Sequence, residues 1–137
     1  MGPEIGKFAV ASSPATLAAV FMAGGVGATL RVLLSGRIEQ ALVERLPHAG
    51  VLVVNLIGCL AIGVAAAAIS SGHWRAVVLG GLLGGFTTYS TFALFTVELI
   101  GEQRWGILAA QLLGHLVGGV ACVWLGFALV RALGSSG

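Results

Sequence analysis

Four long apolar runs, separated by short polar connections, limit what this 137-residue chain can fold into. The runs cover residues 15–34, 49–70, 76–100 and 106–133. Each is at or above the roughly 20 residues that a helix needs to cross the hydrocarbon core of a bilayer. Only 9% of the residues are charged, against about 25% in soluble domains. The sequence therefore predicts an all-α membrane protein with four transmembrane helices.

The runs form one four-helix domain over residues 15–133, with tails at 1–14 and 134–137. This organisation is typical of a multi-pass protein of the cell (plasma or inner) membrane, with membrane lipid as its surroundings. The net charge of +2 does not indicate a nucleic-acid partner. Cys59 and Cys122 both fall in apolar runs, which favours buried free thiols over a disulfide.

Basic residues are divided almost equally between the two sides of a four-span topology. One side has Lys7, Arg75 and Arg131, and the other has Arg37, Arg45 and Arg104, with Arg31 at the end of the first run. Orientation in a membrane follows an asymmetry of Lys and Arg between the sides. Because that asymmetry is nearly absent, we expect insertion in both orientations and an antiparallel dimer. The alternative is one orientation set by a weak bias.

The third run contains residues 80–92, a stretch rich in glycine, hydroxyl and aromatic side chains. Glycine costs a helix roughly 1 kcal/mol relative to alanine, and Ser and Thr offer the backbone alternative hydrogen bonds. We therefore expect the third helix to break at membrane depth. A broken helix is tolerated there only inside protein or beside a cavity, and such breaks mark ion sites in transporters.

Few other polar side chains lie within the runs, so each is informative. Asn55 is either a hydrogen-bonding contact between helices or a donor to a passing anion. Arg31 is either an interfacial anchor or a charge at a vestibule. His115 has no second ligand at metal-binding spacing, so a helix–helix hydrogen bond is the expected role. No Asp or Glu lies at the centre of a run, which is unlike proton-coupled transporters.

Aromatic rings recur every third residue through the stretch, at Phe86, Tyr89 and Phe92. Ordinary helix packing is one interpretation of this stripe. In the other, the electropositive ring edges face a small anion, beside hydroxyl donors. Carbonyl groups released by the break suit a small hard cation such as Na⁺. The hydroxyl residues are Thr88, Ser90 and Thr91.

Three segments, in order, resemble the motifs of the Fluc/CrcB fluoride channels. They are residues 24–31 (GGVGATLR), 54–58 (VNLIG) and 84–92 (GGFTTYSTF). The resemblance extends over about residues 20–130. It implies a dual-topology antiparallel homodimer with two fluoride pathways and a structural Na⁺ at its centre. The implied pathway residues are Asn55, Tyr89, Ser90, Thr91 and Phe92; the implied Na⁺ ligands are the backbone carbonyls of Gly84 and Thr87; Arg31 would stand near the vestibule.

The sequence departs from the family pattern at four places. Tyr89 stands where the family usually has Phe, Ala93 where it often has Ser, and Phe95 where a carboxylate is frequent. The fourth run contains no Ser or Thr between residues 106 and 133. The polar track beside the rings is therefore thinner than in the family.

Passive, selective export of fluoride, which lowers its toxicity to the cell, is the function that the resemblance implies, and the hydroxyl, amide and ring-edge donors suit such an anion. We expect no enzymatic activity. One alternative is a small four-helix, dual-topology multidrug exporter, but that would need a Glu in the first run, and residues 15–34 have none. Another is a helical assembly partner without transport, in which replacing Asn55 or Phe92 would leave ion flux unchanged.

Overall fold

The computed structural model describes residues 13–42 and 46–134, and the regular structure in these ranges is helical. Four helices, the third of them interrupted, are long and apolar enough to span a membrane, as the sequence predicts. Most of the predicted tails, including Lys7, and also Arg45 lie outside the described residues. The helices are α1 (Pro14–Leu42), α2 (Ala49–Ala68), α3 (residues 73–86), α4 (Tyr89–Gly101) and α5 (Trp105–Gly134).

Helix α1 extends beyond the apolar run, so the predicted polar connection at 35–48 is wrong for residues 35–42. No proline lies between Pro14 and Pro47 to stop the helix. The added turns bring Glu39 to the start of α2. Its Oε1 accepts a hydrogen bond from the His48 N–H (2.7 Å), and its Oε2 accepts one from the Gly50 N–H (3.1 Å).

Helices α1 and α3 pack through glycines. A Cβ added to Gly27 would lie 2.1 Å from the Leu82 carbonyl oxygen, and one added to Gly85 would lie 2.4 Å from the Gly24 carbonyl oxygen. These contacts require the absence of a side chain. Gly81 and Gly85 of the third run are thus helical residues that allow close approach, whereas Gly80 faces open space. The predicted break is present, but it lies after them.

Helices α2 and α5 form a second close pair. A Cβ on Gly63 would lie 2.3 Å from the Val123 carbonyl oxygen, and one on Gly126 would lie 2.6 Å from the Leu60 carbonyl oxygen. Cys59 and Cys122 are half-buried free thiols. Helix α5 widens to a π-helical turn at Gly114–Gly118.

Side chains also fasten the end of the bundle where α2 meets α3. The Arg75 guanidinium donates hydrogen bonds to the carbonyls of Ala66 and Ile69 at the C-terminal end of α2. The Thr16 hydroxyl lies 2.9 Å from Nδ1 of His73, which joins α1 to the start of α3. Large apolar side chains on every span remain exposed. A lone protomer therefore offers broad surfaces to lipid or to another chain.

Candidate functional site: the break in the third span

The third span is interrupted at two extended residues. Helix α3 ends at Phe86, Thr87 (φ −91°, ψ 158°) and Thr88 (φ −147°, ψ 113°) are extended, and α4 begins at Tyr89. A helix interrupted in this way leaves backbone donors and acceptors without their usual partners. In an apolar surrounding these groups must be satisfied by other protein groups or by ions.

The side chain of Asn55 on α2 forms hydrogen bonds with both the N–H and the carbonyl of Thr88. Its Oδ1 accepts from the Thr88 N–H (2.8 Å), and its Nδ2 donates to the Thr88 carbonyl (3.0 Å). This reciprocal pair crosses between helices, so Asn55 has the helix-joining role that the sequence left open. An amide has two N–H groups, and the Thr88 carbonyl uses one of them. The second remains as a donor.

Thr88 also caps the new helix. Its Oγ1 accepts from the Thr91 N–H (3.3 Å) and lies 3.0 Å from the Thr91 hydroxyl and 3.3 Å from the Ser90 hydroxyl. A threonine N-cap with this bond stabilises a helix start by about 0.5–2 kcal/mol. Thr88 is 6% exposed. The sequence interpretation gave it only a hydroxyl role, although Thr followed by a helical segment is a recognisable capping signal.

Gly58 makes room for the break. A Cβ on Gly58 would lie 2.2 Å from Cγ2 of Thr87. Thr87 is held in place because both its N–H and its hydroxyl donate to the Leu83 carbonyl, at 3.0 and 3.1 Å. Asn55 and Gly58 lie one turn apart on α2, so the same face of that helix both bonds and accommodates the break.

The aromatic side chains of α4 form a row with two histidines. Tyr89 and Phe92 meet edge to face, with ring centroids 5.6 Å apart. His115 of α5 stacks on Phe92 at 4.1 Å, and His48 stacks on Phe95 at 3.9 Å. Tyr89 is 78% exposed, whereas Phe92 is 8% exposed. The row thus runs from the surface of the protomer to its interior.

Backbone carbonyls on the α3 side of the break have lost their helical partners. In a continuous α-helix the Gly84 carbonyl would accept from the Thr88 N–H, and the Thr87 carbonyl from the Thr91 N–H. Asn55 and the Thr88 hydroxyl accept from those two N–H groups instead. Oxygen atoms of this kind are the ligands that hard cations prefer.

The structure brings most of the predicted site residues together. Asn55, Tyr89, Ser90, Thr91 and Phe92 surround the start of α4, and Gly84 and Thr87 immediately precede it. Arg31 is half-buried on α1, one turn beyond Gly27. Within the described residues it forms no hydrogen bond or ion pair with the site. The helix–helix hydrogen bond expected of His115 is wrong: its Nδ1 bonds the Gln111 carbonyl of its own helix, and its ring stacks on Phe92. Residue spacing does not reveal a stack between two helices.

The family model described as CrcB-like protein, camphor resistance (CrcB), matches residues 18–127. The chain belongs to the CrcB family. The match covers α2, α3 and α4 completely and most of α1 and α5. The break with its Asn55 contact is therefore part of the CrcB segment.

Curated relatives align with this chain over nearly their whole length. A protein of Dichelobacter nodosus named fluoride-specific ion channel FluC is 41% identical over 118 residues, covering 83% of this chain and 95% of that protein. A protein of Methylobacillus flagellatus with the same name is 40% identical, with 82% and 91% covered. FluC 1 of Yersinia pestis is 38% identical, with 88% and 97% covered. These names are those of ion channels and do not favour a multidrug exporter or an enzyme.

Proposed function

We propose that this chain forms a fluoride-selective ion channel of the plasma (inner) membrane that lets F⁻ leave the cytoplasm passively and so lowers fluoride toxicity. The observation that carries the proposal is the break at Thr87–Thr88, which collects polar donors and ring edges at membrane depth in a chain whose relatives are named fluoride channels. The proposal concerns transport only, without a chemical reaction.

The donors at the break suit a small, strongly hydrated anion. Removing water from such an ion is costly unless other donors replace it. The second N–H of Asn55, the hydroxyls of Ser90 and Thr91, and the first N–H groups of α4 are candidates. The N-terminus of a helix also carries a partial positive charge. None of these donors bears a full charge.

The rings supply the other contacts in this proposal. Tyr89 and Phe92 meet edge to face, and an aromatic edge is electropositive. Because Tyr89 is 78% exposed on the single protomer, its ring lines an outer surface and not an enclosed tunnel. A second copy of the chain would close the pathway. Arg31, half-buried on α1, would raise the local anion concentration at the vestibule.

An antiparallel homodimer follows from the charge balance. Arg75 and Arg104 lie at opposite ends of the bundle, and Arg75 is engaged with the carbonyls at the end of α2. With nearly equal numbers of basic residues on both sides, the two orientations insert to similar extents. Two inverted copies would then provide two equivalent pathways.

A structural Na⁺ fits the carbonyl groups before the break. The Gly84 and Thr87 oxygens have lost their α-helical donors, and Gly84 lies exposed on the protomer. Two such oxygens from each copy would give an all-oxygen ligand set. The ion would hold the two interrupted helices together across the dimer centre.

Anion efflux from proteoliposomes tests the proposed function. Vesicles loaded with KF or KCl are opened to K⁺ flow by valinomycin, and ion-selective electrodes record the anion released. We expect rapid fluoride loss without chloride loss. Phe92→Leu should slow fluoride efflux, whereas the matched control Phe127→Leu, three turns beyond His115 on α5, should not. Absence of fluoride efflux from folded dimer contradicts the proposal.

Orientation has its own test. Ser71 lies exposed in the turn between α2 and α3, so Ser71→Cys in a Cys59→Ala, Cys122→Ala background places one thiol at one end of the bundle. A membrane-impermeant maleimide added to intact cells should label about half of the molecules if both orientations form. Labelling of nearly all or nearly none contradicts dual topology while leaving channel activity to the efflux assay.

The Tyr89 hydroxyl is tested by Tyr89→Phe in the same vesicles. If the hydroxyl contacts fluoride, flux or fluoride affinity should change. Unchanged values would show that the hydroxyl does not contact the ion on the pathway.

A further inference from the structure

His115 is a polar side chain whose second nitrogen has no described role. It lies in the π-helical turn Gly114–Gly118 of α5, and its ring stacks on Phe92 at 4.1 Å and 27°. Its Nδ1 is 2.9 Å from the Gln111 carbonyl oxygen. Its Nε2 is buried and has no hydrogen-bond partner among residues 13–42 and 46–134. An orphaned buried nitrogen costs about 1–3 kcal/mol and calls for an explanation.

The contact with Gln111 fixes the state of the ring. A carbonyl oxygen can only accept a hydrogen bond, so Nδ1 must carry the hydrogen. In the neutral ring Nε2 then presents a lone pair, which repels an anion. Protonation turns Nε2 into an N–H donor and gives the ring a positive charge. The same atom therefore opposes an anion in one state and binds it in the other.

Packing places the turn that carries His115 beside the face of α2 that bonds the break. A Cβ on Gly114 would lie 2.9 Å from Leu52, and one on Gly118 would lie 3.2 Å from Leu56. Asn55 lies on the same stripe of α2, one turn from Leu52, so it is in register with the turn that carries His115. Phe92 contacts the Tyr89 ring and the His115 ring. His115 thus approaches the proposed pathway from α5.

We propose that His115 is a proton-dependent anion contact of the pathway, with Nε2–H binding fluoride beside Phe92 when the ring is protonated. This inference rests on the proposed channel function. Helix α5 has no Ser or Thr between residues 106 and 133, and its other nearby polar side chain, Gln111, donates to the Pro47 carbonyl. Fluoride flux should therefore rise as the pH falls.

No carboxylate of the packed elements faces this nitrogen in the described structure. Helix α2 carries no charged residue, and its titratable group is the Cys59 thiol, which lies against Gly119. From α4 the Tyr89 phenol lies across Phe92, and the carboxylate of that helix, Glu98, is exposed six residues beyond Phe92. A pH response between the ordinary ranges of carboxylates and phenols leaves the imidazoles and thiols as its source, so variants at His48 and His73 are needed to assign it to His115.

The test compares flux at several pH values in variants that keep or lose this histidine. The chain has three histidines, so His48→Asn with His73→Gln leaves only His115. Asn suits position 48, where φ is 66°. Between about pH 8 and about pH 5, flux should rise at least about threefold in the native chain and in this variant. His115→Gln should remain flat. Protein-free vesicles at each pH give the leak of HF to be subtracted.

A flat native profile, or a rise that persists in His115→Gln, overturns this inference while the channel function stands. No fluoride flux at any pH overturns the channel function and this inference with it. If His115→Gln does not fold, ¹⁵N-histidine spectra of the variant with one histidine replace it. At the acidic end of the same pH series, fluoride but not chloride should then shift the Nε2 resonance. An unshifted resonance overturns the inference.

Discussion

Replacing Asn55 with Ala tests whether this side chain stabilises the break in the third span or only contacts the ion. The change removes the 2.8 Å and 3.0 Å hydrogen bonds to Thr88, a residue only 6% exposed. Leaving a buried polar group unpaired costs about 1–3 kcal/mol, whereas hydrogen bonds between membrane helices average about 0.6 kcal/mol in double-mutant cycles. For two bonds, these values bound the loss in the free energy of unfolding between about 1 kcal/mol, from two bonds at the membrane average, and about 6 kcal/mol, from two backbone groups left unpaired.

Unfolding in mixed micelles, followed by the fluorescence of Trp74, Trp105 and Trp124, measures this loss. Fluoride efflux is measured on the same preparations. Ile57→Ala is the matched control, since Ile57 lies two residues further along α2 and is 44% exposed, and we expect a change within about 0.5 kcal/mol. If Asn55→Ala is as stable as the native chain but does not conduct, then the amide acts on the ion alone and the structural argument is refuted.

Three further predictions concern the same region. Gly58→Ala should sharply reduce the yield of folded protein in size-exclusion chromatography, because its Cβ would lie 2.2 Å from Thr87 Cγ2, while Gly106→Ala, with open space around it, should not. Thr88→Val should lower the free energy of unfolding by about 0.5–2 kcal/mol through loss of the cap, and Thr88→Ser should restore most of it; equal stability of both would contradict the capping role. Exchanging Na⁺ for N-methyl-D-glucamine should slow fluoride efflux and destabilise the dimer on chromatography, and unchanged values would count against the Na⁺ site.

Much of the architecture is readable from the sequence. Length and hydropathy predict the four spans, since each apolar run is long enough to cross a bilayer as a helix and a helix satisfies its own backbone hydrogen bonds there. The break can also be predicted from the local sequence, because Thr87 and Thr88 precede the helix that begins at Tyr89, and Thr88 caps it. The end of α1 is harder to predict. Residues 35–42 mix polar and apolar side chains, and the polar ones indicate contact with water without distinguishing helix from coil.

The remainder depends on contacts between distant segments. The sequence left the role of Asn55 open because its partner, the Thr88 backbone, is 33 residues away. The glycines of α3 could be taken for helix breakers, since only the position of α1 shows that Gly85 lies against the Gly24 backbone. The stack of His115 on Phe92 requires the packing of α5 against α4, and no periodicity within either helix indicates it.

The carboxylate of Glu39 has a consequence for anions outside the membrane interior. A bare helix start attracts anions through its free N–H groups and partial positive charge. At α2 these groups already bond the two oxygens of Glu39. The Glu39 carboxylate thereby fills the position at the start of α2 where an anion would otherwise bind. The start of α4, by contrast, is capped by the neutral hydroxyl of Thr88. In the proposed channel, the start of α4 is therefore the helix start that remains available to a mobile anion.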